Sequence, residues 1–302
     1  DTNIKNYTHG MFQSVYDYAY LSSSANHIFD VTAGLAEQSN LSASTVTQMA
    51  KKNNMYNEFA QVLLGYTGSN NKVRMFESDL KLDQVGNMKD VFVISLSRLL
   101  VKDQIKKNTF KMQVGTGSWT HPFFTTASSN TMTLQDSLAR VNGDGVNVAD
   151  GGDYGVLYDK ANPGPNEKGY GVIFYQAGVV VLSSSIFKNG VSGSKTPCGG
   201  FYKITRPGGS ATKYNVRQCL QSASISGACD ALRHRIRNIT FNNTTEINST
   251  VYFCRAPVNK FNYSSNPTYV TGSKIRVKSV PQDNPVAYVT TVGLYNSQNE
   301  LL

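Results

Sequence analysis

The chain has 302 residues, of which 40% are hydrophobic and only 16% charged, and it carries a net charge of +9. That length can bury a sizeable core without staples, so stability demands neither a metal nor a disulfide, and the low charge fraction excludes a charge-rich disordered protein. The excess positive charge is dispersed along the sequence rather than gathered into a stripe, which argues against a nucleic-acid partner.

Residues 1–40 read as an extended N-terminal arm. The stretch Phe12-Gln-Ser-Val-Tyr-Asp-Tyr-Ala-Tyr20 mixes aromatic with polar residues and has no helical period. Phe12, Tyr16, Tyr18 and Tyr20 suit packing against a neighbouring subunit, or equally an edge strand of the chain's own domain. Removing the arm through Tyr20 is expected to leave the rest folded.

A helical region follows over residues 41–107. Between Ser42 and Tyr66, the apolar residues Val46, Met49, Tyr56, Phe59, Ala60, Leu63 and Leu64 recur at spacings near three and four, with Ser42 or Ser44 as N-cap and Gly65 just beyond the end. A second helix is expected from about Met88 to Ile105 on Val91, Ile94, Leu99 and Val101, with the Phe-Val-Ile run inside it also fitting a strand.

From residue 108 to 302 the pattern changes to short apolar runs broken by Gly, Asn, Pro and Ser, as a β-rich domain requires. Strands are expected at Thr109–Val114, Tyr154–Tyr158, Gly171–Tyr175, Val179–Leu182, Phe201–Thr205, Ser249–Arg255, Lys274–Val280 and Ala287–Leu294. Val172–Leu182 reads as a buried hairpin around its Gln-Ala-Gly turn, and Asp159–Lys168 as a turn-rich loop. The class is therefore α+β and predominantly β: an aromatic arm and one or two helices, then antiparallel strands with long loops.

Catalysis needs a nucleophile, a base and an orienting group, and the bases are limited to His9, His27, His121 and His234. None lies in a known catalytic motif. His121, in Trp119-Thr-His-Pro122, suits a loop anchored by packing better than a base. Asn142–Asp153 alternates carboxylates with glycines but lacks the bidentate glutamate of a calcium loop, so its Asn-Gly and Asp-Gly pairs read as turns. Gly115 and Gly117 follow a strand-like run, yet no helix start comes after them to cradle a phosphate. No catalytic residue, cofactor or metal is expected.

Cys198, Cys219, Cys229 and Cys254 contain no Cys-x-x-Cys pair and read chiefly as buried free thiols, with two disulfides or, less favoured, metal ligands as the alternatives. Seven Asn-x-Ser/Thr triplets are close to the chance number for so Asn-, Ser- and Thr-rich a chain. The densest basic cluster is Arg233, His234, Arg235 and Arg237. On a strand it would put Arg233, Arg235 and Arg237 on one face, toward solvent or an acidic neighbour. No leader pattern and no apolar run of membrane-spanning length is visible, and the opening on Asp1 without Met suggests a piece of a longer product.

Three stretches, Tyr20-Leu-Ser-Ser-Ser-Ala-Asn-His-Ile-Phe-Asp30, Phe76-Glu-Ser-Asp-Leu80, and Val251-Tyr-Phe-Cys-Arg255 with the later Phe261-Asn-Tyr-Ser-Ser-Asn-Pro267, resemble the VrlC-like structural proteins of contractile-tailed cyanophages. The closing Val292-Gly-Leu-Tyr-Asn-Ser-Gln-Asn-Glu300 is similar to that family as well. The resemblance implies a structural subunit of a phage tail, baseplate or tail end. It would be built in the bacterial cytoplasm with reduced cysteines and would act through contacts with other tail proteins and copies of itself. Seventeen tyrosines fit such a role, because tyrosine supplies contact area at low rotamer cost. The alternatives are a host-receptor or glycan-binding module, with Trp119, His121 and Phe123 as its platform, and a secreted disulfide-bonded glycoprotein.

Overall fold

The computed structural model describes residues 2–42, 46–67, 72–124, 130–140, 145–161, 169–187, 200–205, 211–257, 266–268, 270–271, 274–275, 289 and 291–301. They fall into two compact units, Asp1–Glu246 and Ile247–Leu302. The fold is α+β and mostly antiparallel β-sheet.

In the first unit β1 (Ile4–Asn6), β2 (Gln13–Tyr16) and β3 (His27–Leu35) are successive antiparallel neighbours. Helix α1 (Thr47–Leu64) and the small hairpin of β4 (Tyr66–Thr67) with β5 (Lys72–Val73) lead to β6 (Asp90–Leu96), which pairs with β3. After the single turn α2 (Arg98–Val101) and β7 (Gln104–Ile105) come β8 (Lys111–Gly115), β9 (Thr131–Gln135), β10 (Val146–Ala149), β11 (Gly152–Asp159), β12 (Gly171–Phe174) and β13 (Val179–Ser183). The hairpin β14 (Tyr202–Thr205) with β15 (Ala211–Tyr214) precedes two helices, α3 (Val216–Ser222) and α4 (Ile225–Arg233). The chain then returns on β16 (Ile236–Thr240) and on β17 (Asn243–Thr244), which pairs with β7. The main sheet has 11 strands, ordered β1-β2-β3-β6-β13-β12-β11-β9-β8-β16, with β10 on β11. In the second unit, β18 (Val270–Thr271) pairs with β19 (Lys274–Ile275).

Both faces of the middle of this sheet are covered. On one, Val31, Ala33 and Leu35 of β3 and Phe92 and Ile94 of β6 share a core with Leu220, Ala228, Cys229 and Leu232 of α3 and α4. On the other, Val91 and Val93 of β6, Phe174 and Val181 pack with Tyr56, Ala60 and Leu63 of α1. A strand covered on both sides needs consecutive rather than alternating apolar residues. This decides between the two readings of Met88–Ile105 in favour of the strand for its first half: Val91-Phe-Val-Ile94 is the middle of β6, and only Arg98–Val101 is helical. The β-branched and aromatic side chains there favour a pleated surface, and their near-helical spacing was coincidental.

Helix α1 lies close on the sheet because Gly34 has no side chain: a Cβ there would stand 3.1 Å from the Tyr56 Cα. Its C-terminus is where the sequence puts it, at Gly65 with φ of 72° and its N–H on the Gln61 carbonyl. Its N-terminus is not. Val46 is the N-cap without a side-chain bond, Ser42 instead bonds the Asn53 side chain, and Ser44 lies outside the described residues.

The expected arm of residues 1–40 is no detached arm: β1, β2 and β3 are integral to the main sheet, so cutting through Tyr20 would remove two of its strands. The expected helical region 41–107 likewise contains the central strand β6, and the β-rich region beyond 108 holds α3 and α4. Expected strands near residues 111, 154, 171, 179 and 202 are present as β8, β11, β12, β13 and β14. The Val172–Leu182 hairpin is β12 with β13. Ser249–Arg255 is described but irregular, and so are the described residues of Ala287–Leu294, 289 and 291–294, so neither is the expected strand; most of Asp159–Lys168 and of Lys274–Val280 lies outside the described residues. Among the described residues no helix is long and apolar enough to cross a membrane.

Candidate interaction surfaces

The N-terminal aromatics sit on the β1–β3 edge of the sheet. Tyr7 stacks on His9 at 5.1 Å around the Gly10 turn, and Phe12 closes the group at 4.8 Å from Tyr7. Tyr16 contacts Tyr20 and the His27 ring. Phe12 and Tyr16 are half-buried in these clusters, so the outward surface is made by Tyr18, 64% exposed, with Tyr20 and Leu21 beside it. Asp30 gathers the Ser14 hydroxyl at 2.5 Å and the His27 Nε2 at 2.8 Å. Both groups meet the carboxylate rather than each other, an arrangement that ties β2 to β3 and leaves Ser14 without imidazole activation.

The basic cluster is corrected by the structure. Arg233, Arg235 and Arg237 do not share a strand face, because α4 runs to Arg233 and β16 begins only at Ile236. Arg233 closes the last turn of α4 with a bond to Asp230 at 3.1 Å. Arg237 is exposed on β16 with its guanidinium 5.1 Å from the Phe124 ring. Arg235 is fully buried. It donates to the carbonyls of Gly115 at 3.0 Å, Gly117 at 2.8 Å and Gly200 at 3.1 Å, and lies 4.9 Å from the Phe201 ring. It cannot present a surface to a partner. Its chemistry explains Gly115 and Gly117 as well: their carbonyls turn inward to a planar five-donor fork.

Sequence reading missed further buried charged groups, Lys52 and Asp136 foremost among them. Lys52 on α1 donates to the Leu220 and Ala223 carbonyls at 2.5 and 2.7 Å, where a cation satisfies the end of α3. Burial pulls its ammonium down to about 8, against a smaller opposing pull from Cys219 and Cys229. The unfolded lysine keeps its proton to near 10.5, so between these values the unfolded chain binds more protons and stability rises with pH. Wild type should therefore gain about 1 kcal/mol over Lys52→Met between pH 7 and pH 9 in urea unfolding; a difference that stays constant contradicts this.

Asp136 is the second buried charge. It accepts from the Asn108 N–H at 2.8 Å, the Phe110 N–H at 3.0 Å and the Tyr175 hydroxyl at 3.0 Å. Burial raises its carboxyl above the usual range despite these donors.

Cys219 and Cys229 are buried free thiols, Cys254 is an exposed one, and Cys198 lies outside the described residues. Burial pushes Cys219 up to about 12 and Cys229 higher still, so both stay protonated and weakly nucleophilic at neutral pH. Among the described residues no group of three or more His, Cys, Asp and Glu could hold a metal ion. The described part of Asn142–Asp153 forms the β10–β11 hairpin, with Asp153 bonded to Lys107 at 2.5 Å. Trp119 is half-buried: His234 stacks on it at 4.2 Å and Tyr202 meets it edge-on at 5.7 Å. His121 is exposed, with Thr120 as its partner.

Among the described residues the two most exposed large apolar side chains, Phe253 and Ile247, are in the second unit. Ile247, Val251 and Tyr252 are at least 71% exposed and Phe253 is 96% exposed, in a segment with no regular structure.

No family model matches the chain, and neither does any curated protein or solved structure.

Proposed function

We propose that the chain is a structural subunit of a contractile phage tail, in the baseplate or tail end, and that it acts through protein–protein interfaces and resides in the virion. The observation that carries the assembly part is the exposed Val251-Tyr252-Phe253 run. Leaving three large apolar side chains in water costs about 1.5–3 kcal/mol each relative to burial, which a neighbouring subunit would recover. The aromatic edge at Tyr18 and Tyr20 supplies a second contact area. The phage-tail part is supported by the resemblance of Tyr20–Asp30, Phe76–Leu80 and Val251–Arg255 to VrlC-like proteins. For the receptor-binding alternative the structure offers less support than for assembly, since His234 already stacks on Trp119.

The test is incorporation. The double variant Tyr252→Ser, Phe253→Ser should fold to wild-type stability, because neither side chain is in a core, yet should be missing from purified particles. Incorporation at the wild-type level would overturn the reading.

A further inference from the structure

A cavity of about 320 Å³ opens between α1 and strands β3 and β6. Its apolar walls come from Phe12, Met55, Phe59 and Val93, and its two carboxylates are Asp30 and Glu58. The volume is at the lower end for ligand sites and suits one large side chain better than a cofactor. Asp30 is held in place by its bonds from Ser14 and His27, whereas Glu58 is exposed on α1. On a chain of net charge +9 this is a locally acidic, apolar pocket. Such a pocket selects an apolar side chain with a cation beside it.

The chain itself carries that combination. In Val251-Tyr252-Phe253-Cys254-Arg255, Phe253 is 96% exposed and Arg255 is also exposed. In an extended segment, residues i and i+2 project to the same side about 7 Å apart, so Phe253 and Arg255 can face one surface together.

We infer that the cavity of one copy receives Phe253 of a second copy, with Arg255 set against Glu58 and Asp30. The contact pairs one surface of a copy with a different surface of another; exchanged reciprocally it closes a two-fold pair, and propagated it builds a ring or an open row. The inference rests on the assembly reading above and names a partner for it: another copy of this chain.

The experiment uses the full-length chain carrying Phe253→Ser as receptor, so that its own segment cannot compete. The probe is a fluorescent synthetic peptide of residues 249–257 with Cys254→Ser. Saturable binding is expected, weakened about tenfold or more by Phe253→Ser in the peptide and further weakened by salt. Glu58→Lys in the receptor should weaken it, and Arg255→Glu in the peptide should restore binding to that receptor. Glu58 is exposed on a helix, so circular dichroism should show the variant folded. In sedimentation the wild-type chain should self-associate with concentration and the Phe253→Ser chain should not.

Absence of peptide binding, indifference to the charge swap, or a wild-type chain that stays monomeric would each overturn the inference. Failure of the tail reading is separate. A chain found in particles that does not bind the peptide refutes only the Phe253 contact, and a chain that binds the peptide but is missing from particles refutes only the phage location.

Discussion

Arg235→Met should destabilise the first unit by about 4 kcal/mol, the largest effect of any single substitution considered for this chain. The carbonyls of Gly115, Gly117 and Gly200 point at its guanidinium, and the Phe201 carbonyl lies at 3.4 Å. A methionine of similar length fills the space but donates nothing. Each buried acceptor left unsatisfied costs about 1–3 kcal/mol, offset in part by no longer desolvating a charge. For a unit of this size the midpoint of thermal unfolding should fall by roughly 10 °C. Arg235→Lys should recover only a fraction, because an ammonium is a point donor and cannot reproduce the planar fork. Trp119, the single tryptophan, stacks on the adjacent His234, so its fluorescence reports unfolding at this site directly. A variant within about 1 kcal/mol of wild type would show that water replaces the guanidinium at those carbonyls.

Asp136→Ala should cost about 3 kcal/mol, since it orphans the Asn108 and Phe110 N–H groups and the Tyr175 hydroxyl around one buried point. Those three donors come from the turn before β8 and the residue after β12, so their loss should loosen the β8–β9 side of the sheet. Asp136→Asn retains one acceptor oxygen and should be milder. Its pH dependence separates charge from hydrogen bonding. Burial raises the folded carboxyl above its ordinary 3.8, so the folded chain holds the proton more tightly than the unfolded chain. Wild-type stability should therefore fall relative to Asp136→Asn as pH rises from below 3.8 through the folded value. The opposite slope would mean that the three donors outweigh burial.

How much of this was legible in the sequence depends on whether the signal was local. The β12–β13 hairpin could be read because Gln176-Ala-Gly178 is a turn between two apolar runs, and Gly178 takes φ of 68°. The end of α1 could be read for the same reason at Gly65. Strand β6 could not be distinguished from a helix by spacing alone, since only its coverage by α1 and α4 on opposite faces explains four consecutive apolar residues. Helices α3 and α4 had a readable signal that composition obscured. Asn215 and Gln218 form a capping box, Ser224 caps Gly227, and Ile225, Ala228, Cys229 and Leu232 keep a helical stripe. The arginine cluster was misread because that stripe was overlooked: once α4 ends at Arg233, Arg235 falls at the corner where the chain turns inward.

The interaction residues divide in the same way. Tyr18 and Tyr20 are on the surface, whereas Phe12 and Tyr16 are partly consumed by packing with Tyr7, His9 and His27, a division that the sequence does not show. Exposure of Phe253 could not be read at all, because Val251-Tyr-Phe-Cys254 has the composition of a buried strand. That mismatch between an apolar sequence and an exposed position is what the proposed contact rests on.

The most direct measurement is quantitative mass spectrometry of gradient-purified particles, joined to labelling of the chain by electron microscopy. The account predicts a fixed copy number per particle and a single location in the tail. Absence of the chain from purified particles, or a variable trace amount without a fixed place, would contradict it.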